Sequence, residues 1–296
     1  MLASLGAGRL HMAWLPKRQH PGPAGTLERP GTVCYDPPDF KKSDLMMGFA
    51  RPIVFGNWKM HGLRADGREL AAGLAERAGG LTATLGIFPP FTILSEIAAQ
   101  LAGTGIVVGG QDCHAEPKGA FTGSISAAML KDAGATAAIL GHSERRQGLG
   151  ETSAAIKAKA EAALAVGLNV VLCIGETEAE WQAGRTLEVV DAQLSQSWPT
   201  GATADNLILA YEPVWAVGTG RTPTMADIDS SHAAIRQRLE ALATDGDKVA
   251  ILYGGSVKPD NAAEIMAVPG VAGVLVGGAS LDAATFWSIY KAGGGA

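Results

Sequence analysis

From Pro52 onward, short apolar runs alternate with longer stretches in which Ala, Leu, Glu and Lys recur at helical spacing. The short runs fall at residues 53–55, 85–88, 106–108, 137–140, 170–174, 207–211, 249–253 and 273–276. Runs this short and this continuously apolar read as strands buried on both faces, which is what a parallel sheet requires. Between them the pattern predicts helices over residues 65–77, 91–101, 151–166, 179–196, 226–242 and 259–266. Gly167 reads as the C-terminal stop of the third helix, and Asp260 and Asn261, just after Pro259, read as capping residues for the last. Eight strand–helix repeats match a closed (β/α)8 barrel in both count and length, as one α/β domain over residues 51–296. An open, doubly wound sheet is the competing architecture.

Residues 1–50 break the pattern. Prolines recur at Pro16, Pro21, Pro23, Pro30, Pro37 and Pro38 with no lasting apolar period, so this stretch reads as a poorly ordered extension. Its first part carries Arg9, Lys17 and Arg18 with no acid before Glu28, a weakly transit-like composition, yet Arg9 and His11 interrupt any signal-peptide core. The plainer reading makes Met46 or Met47 the working start and the upstream residues dispensable.

Composition narrows the function. Charged residues make up 18% and hydrophobic residues 47%, the balance of a compact globule, and the formal net charge of −5 lacks the basic excess of a nucleic-acid binder. Cys34, Cys113 and Cys173 are too dispersed for a disulfide framework or a CxxC metal site, so reduced thiols and a cytoplasmic location are expected. No apolar run approaches the roughly 18 residues of a membrane span, so no membrane partner is expected.

In a (β/α)8 barrel the chemistry sits at the C-terminal ends of the strands. Reading those ends gives Asn57 and Lys59 after the first strand, His142 and Glu144 after the fourth, and Glu212 after the sixth. Gly254, Gly255 and Ser256 follow the seventh strand, and Gly277 and Gly278 the eighth. Glu212 closes an apolar run and is fixed by Pro213, while Gly218 and Gly220 punctuate the loop beyond it. Each residue has a plain alternative: a solvated lysine, a satisfied core histidine, turn glycines, a glutamate that caps a helix. Their joint placement at five strand ends is harder to assign to chance.

Loops after strands seven and eight, with a short helix N-terminus, commonly hold phosphate in such barrels, so a phosphorylated substrate is expected. No GxxxxGK[ST] or convincing GxGxxG pattern supports a nucleotide, and no HExxH or histidine cluster supports a metal. Serine and cysteine nucleophiles lack a base at a recognisable spacing, which leaves proton transfer on a small phosphorylated metabolite.

Gly56-Asn57-Trp58-Lys59-Met60, Ile139 through Arg146, Ala210 through Gly220, Tyr253-Gly254-Gly255-Ser256 and Val276-Gly277-Gly278 occur in an order that resembles triosephosphate isomerase, over residues 51–290. The resemblance implies a TIM barrel that interconverts dihydroxyacetone phosphate and glyceraldehyde 3-phosphate through an enediolate, without a cofactor, in glycolysis and gluconeogenesis. It makes Glu212 the base and His142 the electrophile; that family is itself the standard example of a glutamate base beside a neutral, helix-depressed histidine. It further implies that Lys59 faces the developing oxyanion, Asn57 orients substrate, Glu144 holds Lys59, and amides of Gly218, Ser256, Gly277 and Gly278 bind phosphate under a lid at residues 218–220. It also implies a homodimer joined by the loop of residues 111–126, which runs from Gln111 to Ser126 and has Phe121 at its tip. Ser124 stands where the family generally has a carboxylate, which puts one polar contact of that loop in question. Two other functions compete: another phosphate-binding barrel isomerase or lyase, and a barrel kept for binding or scaffolding. The second would be marked by loss of Glu212 or Lys59, and both are present.

Overall fold

A computed structural model describes residues 49–216 and 223–295. Eight strands close into a barrel in sequence order, with every pairing parallel, so the open-sheet alternative is excluded. They are β1 (Ile53–Asn57), β2 (Thr84–Phe88), β3 (Val107–Gly110), β4 (Ala137–Leu140), β5 (Asn169–Ile174), β6 (Leu207–Tyr211), β7 (Ala250–Tyr253) and β8 (Gly273–Val276). Around them lie α1 (Arg64–Ala75), α2 (Phe91–Gln100), α3 (Ala127–Asp132), α4 (Ser143–Gly148), α5 (Ser153–Ala165), α6 (Glu178–Gln182), α7 (Thr186–Ser197), α8 (Met225–Leu242), α9 (Ala262–Met266) and α10 (Ala283–Ala292).

The continuous apolar runs are explained by two cores that share each strand. Side chains alternate along a strand, so Ile53, Phe55, Val171, Cys173, Ile208 and Ala210 fill the barrel interior. Their neighbours Val54, Val170, Leu172, Leu207 and Leu209 pack outward beneath the helices. Phe55 and Phe88 meet edge to face at 5.2 Å inside the barrel, and room for them is made by glycine. A Cβ on Gly109 would lie 2.3 Å from the Phe88 ring, and one on Gly86 would lie 2.8 Å from Phe55. This corrects the third predicted strand, expected at 106–108. Gly109 and Gly110 belong to the strand, because glycine there fits the packing of large rings and marks no turn.

Other boundaries moved for identifiable reasons. The helix expected over 179–196 is two helices, since Gly184 adopts φ +69 and breaks it between α6 and α7. Asn261 stands at the N-terminus of α9 without capping it; its Oδ1 accepts instead from the Lys258 amide at 2.8 Å, shaping the loop after β7. Gly167 does terminate α5: it has φ +75, and the paired bonds from Gly167 and Leu168 to Leu164 and Ala163 form a Schellman motif. The short helices α3 and α4 escaped the pattern, as did the longer α10. Within 1–50, only Phe49 and Ala50 are described. Phe49 packs edge to face on Phe55 at 6.0 Å, and the Ala50 carbonyl accepts from the Thr84 amide at 3.0 Å. Cys34, the prolines, Met46 and Met47 lie outside the described residues. Among the described residues no helix is long and apolar enough to cross a membrane.

One buried histidine lies behind the strand that carries Glu212. His232, on α8, is fully buried; its Nδ1–H donates to the Ile228 carbonyl at 2.9 Å, Nε2 has no partner, and its ring meets Tyr211 edge-on. Burial pushes its pKa down from 6.5 to about 4; the Arg236 charge adds to that shift, and the Ile228 carbonyl and Asp229 offset only part of it. Between those values the unfolded chain binds more protons than the folded one, so stability falls as pH falls through that window. The full penalty, about 3 kcal/mol, is reached near the folded-state value. We expect His232→Leu to flatten the dependence of urea-unfolding free energy on pH between about 6.5 and 4. An unchanged slope would show that other groups set the acid lability.

Candidate active site

The C-terminal strand ends converge on one cleft of about 230 Å³, lined by Asn57, Lys59, His142, Glu212, Ser256, Gly277 and Gly278 among others. Glu144 stands at its edge, and Gly218 lies outside the described residues. The side chains that sequence reading placed at separate strand ends are thus brought together wherever the structure describes them.

Lys59 is held in an uncommon backbone conformation. Its φ of +53 lies in the left-handed region that most side chains avoid. Three contacts fix it: the Asn57 Oδ1 accepts from the Lys59 amide at 3.0 Å, the Lys59 carbonyl accepts from Gln111 Nε2 at 2.8 Å, and Nζ donates to Glu144 at 2.6 Å. Gln111 also donates to the Phe88 carbonyl at 2.8 Å, so it ties the turn to the end of β2. Gly277 lies beside the lysine, where a Cβ would make only ordinary contact, 3.5 Å from Lys59 Cε.

His142 is the N-cap of α4. Its Nδ1 accepts from the Glu144 amide at 3.3 Å, and Nε2 lies 2.8 Å from Glu212 Oε1. A ring nitrogen that accepts a helix amide carries no proton, so the geometry assigns the hydrogen to Nε2 and makes it the donor to Glu212. Two influences on this ring disagree. Burial disfavours the imidazolium, but the Glu212 carboxylate outweighs burial and raises the pKa while the two groups touch. The Nδ1 contact argues for the neutral ring, because protonation would break that bond and set a cation at the positive end of α4. We take the neutral form as the one built in, since the upward pull belongs to the contact with Glu212.

Glu212 is 1% exposed. Besides His142 it accepts from the Ser143 amide at 3.0 Å and the Ser143 hydroxyl at 3.3 Å. Burial would raise its pKa, but His142, the Ser143 amide and Lys59 prevail and hold the carboxyl below its usual range. Its backbone is wedged between neighbours. A Cβ on Gly175 would fall 1.8 Å from the Glu212 carbonyl oxygen, and one on Gly254 would fall 2.9 Å from Glu212 Cγ. Both positions exclude any side chain.

Beyond Glu212 the turn at Val214–Ala216 is tied to a second buried carboxylate. Glu176 accepts from Trp215 Nε1 at 2.9 Å and from the Tyr211 hydroxyl at 3.2 Å, and its carbonyl accepts from the Val214 amide at 3.2 Å. Burial raises the Glu176 pKa, and these donors offset only part of the shift. Trp181 of α6 stacks on Trp215 at 4.2 Å and covers the turn from outside.

Sequence reading passed over Gln111 as a site residue, Ser143 and Glu176. A signal for Glu176 was present, since Cys173-Ile174-Gly175-Glu176 ends an apolar strand in a carboxylate just as β6 does. It also passed over the ion-pair cluster that seats α4. There Arg145 bonds Asp112 at 2.8 Å and Glu151 at 2.7 Å, while Lys159 bonds Asp112 at 2.8 Å and also reaches Glu151. Those partners come from separate elements, so spacing alone could not reveal them. Burial pushes the Cys113 thiol up to about 12 and Cys173 well above the ordinary range, so neither is a thiolate nucleophile at neutral pH. No group of side chains among the described residues could hold a metal ion.

A family model described as triosephosphate isomerase matches residues 52–293. The triosephosphate isomerase of Afipia carboxidovorans is 55% identical over 250 residues, covering 83% of this chain and 99% of that protein. That of Xanthobacter flavus is 55% identical over 248 residues, covering 82% and 98%. A crystal structure of triosephosphate isomerase from Bartonella henselae aligns with a TM-score of 0.75 at 43% identity, covering 82% of this chain and 98% of that one. With a barrel, a cleft and relatives that agree along nearly their whole length, the chain belongs to the triosephosphate isomerase family.

Proposed function

We propose that the chain interconverts dihydroxyacetone phosphate and D-glyceraldehyde 3-phosphate, with Glu212 moving a proton between adjacent carbons through an enediolate. The observation that carries this reading is the buried Glu212 carboxylate in hydrogen-bond contact with His142 Nε2. In this arrangement the carboxylate occupies the very donors that a substrate oxygen needs. When substrate enters, its carbonyl oxygen takes the Nε2–H and faces the Lys59 ammonium, and Glu212 turns from Ser143 toward the carbon acid. Asn57 orients the substrate, and Glu144 keeps Lys59 aimed. The amides of Ser256, Gly277 and Gly278, with Gly218 in the loop beyond Glu212, receive the phosphate. A positioned base supplies about 10²- to 10⁴-fold and one preorganised donor about 3 kcal/mol, so the base and the electrophiles are both needed for a fast isomerase. No step calls for a cofactor.

The same reading includes a homodimer in the cytoplasm, formed through the loop of residues 111–126. Within that loop His114 bridges Ser126, and the Phe121 ring rests on His114 at 4.1 Å yet stays 42% exposed. Met60 and Leu63, in the loop after β1, are also largely exposed. Exposed apolar side chains on loops that carry catalytic groups favour burial against a second copy.

In a coupled assay with D-glyceraldehyde 3-phosphate the folded protein is expected to turn over, and Glu212→Gln to lower kcat by at least about 10²-fold while inorganic phosphate still binds. No turnover by the folded wild type would reject the reading, and an active Glu212→Gln would reject the base. Two glycine variants separate support from binding. Gly175→Ala is expected to lower the melting temperature and cost about 10²-fold in kcat by displacing Glu212. A Cβ on Gly278 meets nothing within 4 Å, so Gly278→Ala is expected to keep stability and weaken inhibition by phosphate; equal melting losses in the two variants would contradict this. Residues 1–46 are proposed to be dispensable. A chain lacking them is expected to stay active and dimeric by light scattering. Loss of folding or activity in that chain alone would refute dispensability, and a monomeric mass for the full chain would refute the dimer.

A further inference from the structure

Among the described residues, the charges around the cleft leave one cation unassigned. The substrate proposed above carries a phosphate dianion, so the cleft must attract negative charge in a protein whose formal net charge is −5. Of the cations that line it, Lys59 is already matched by Glu144 at 2.6 Å, and Glu212 adds a further negative charge inside. The geometry assigns His142 the neutral form. Among the described residues the other lining cation is Lys258, which is exposed and forms no ion pair with any of them.

Lys258 sits on a fixed platform. It follows Ser256 and Val257 in the loop after β7, and Asn261 binds both ends of that short segment. The Asn261 Oδ1 accepts from the Lys258 amide at 2.8 Å, and its Nδ2 donates to the Ser256 carbonyl at 3.2 Å. The Lys258 carbonyl in turn accepts from the Asn261 amide at 3.2 Å. The backbone that offers the Ser256 amide is therefore the backbone that sets the root of Lys258. The ammonium on its four-carbon stem is free to follow an anion at the cleft mouth.

We propose that Lys258 is a positioning residue for this reaction: an uncompensated cation at the phosphate end of the cleft that draws in the dianionic substrate and holds its phosphate beside Ser256. The assignment rests on the isomerase reading for its substrate, but its electrostatic content does not. An unpaired charge at a cleft mouth acts mainly on encounter and weak binding, and its effect fades as salt shortens the Debye length to about 10 Å at 0.1 M. Lys59, with Glu144 against it, is built to act at the reacting oxygen. Lys258 is built to act at a distance from it.

The test compares wild type, Lys258→Gln and Lys258→Arg across about 0.02 to 0.3 M sodium chloride. Lys258→Gln is expected to lower kcat/KM by roughly fivefold at low salt through a raised KM, with the deficit shrinking as salt rises. Inhibition by inorganic phosphate should weaken by a similar factor, and Lys258→Arg should restore both. A Gln variant with the wild-type salt dependence and phosphate inhibition would overturn the proposal. So would a loss confined to kcat, or a loss that the Arg variant shares, since either marks a structural role. Calorimetric titration of wild type and Lys258→Gln with phosphate alone keeps the two readings apart. If the wild type lacks isomerase activity, the function falls, while a difference in phosphate affinity still supports Lys258 and equal affinities reject it.

Discussion

Keeping an ionised carboxylate in a nearly water-free strand end is the constraint on which the site depends. Moving such a group out of water costs several kcal/mol unless donors replace the solvent. At Glu212 three donors do so: the His142 ring and the amide and hydroxyl of Ser143. All three come from the first residues of one helix, so α4 must be seated accurately against β6. That seating is the work of Arg146, whose guanidinium donates to the Gly141 carbonyl at 2.8 Å and to the Cys173 carbonyl at 3.0 Å. Arg145 adds the cluster with Asp112, Glu151 and Lys159. Charges far from the chemistry are thus placed by the need to keep one carboxylate both dry and ionised.

The same constraint explains the glycines that flank Glu212. Close packing of strand ends is what excludes water, and Gly175 and Gly254 are where the backbones of β5 and β7 approach the glutamate too closely for a Cβ. Side-chain volume is surrendered at these points so that a polar group can be enclosed. Inside the barrel Gly86 and Gly109 make the reverse exchange, giving up their own volume to admit phenyl rings.

The barrel and the strand ends were legible in the sequence because they follow from local order. An apolar run of a few residues, a helix and another run, repeated eight times, leaves little else to build, and the fold then dictates which residues share a face. Glu212, His142 and Lys59 stood out as polar residues where apolar runs end. What supports them was not legible. Gln111 follows the end of β3 yet serves the turn after β1; Ser143 meets Glu212 from 69 residues away; Asp112, Glu151 and Lys159 meet only after folding. Glycine misled at β3 because its role there is set by the ring of Phe88, far away in sequence. Contacts between distant elements leave no period for a sequence to display.

Lys59 shows how position and charge are divided in this site. Its left-handed backbone costs of order 1 kcal/mol, which a freely exposed lysine would have no reason to bear. Here Asn57 and Gln111 hold the backbone from both sides, and Glu144 holds the ammonium. A long, flexible side chain is thereby converted into a fixed charge before any ligand arrives. Restricting it in the empty protein removes an ordering cost from the reaction itself, which is the sense in which the site is preorganised. His142 is fixed by the same means, through a helix amide on one ring nitrogen. Glu212 differs: in the proposed reaction it is the group of the three whose contacts are exchanged, and its partners are neutral donors that a substrate oxygen can replace. Rigid electrophiles and one exchangeable base are what the proposed proton shuttle between two adjacent carbons requires.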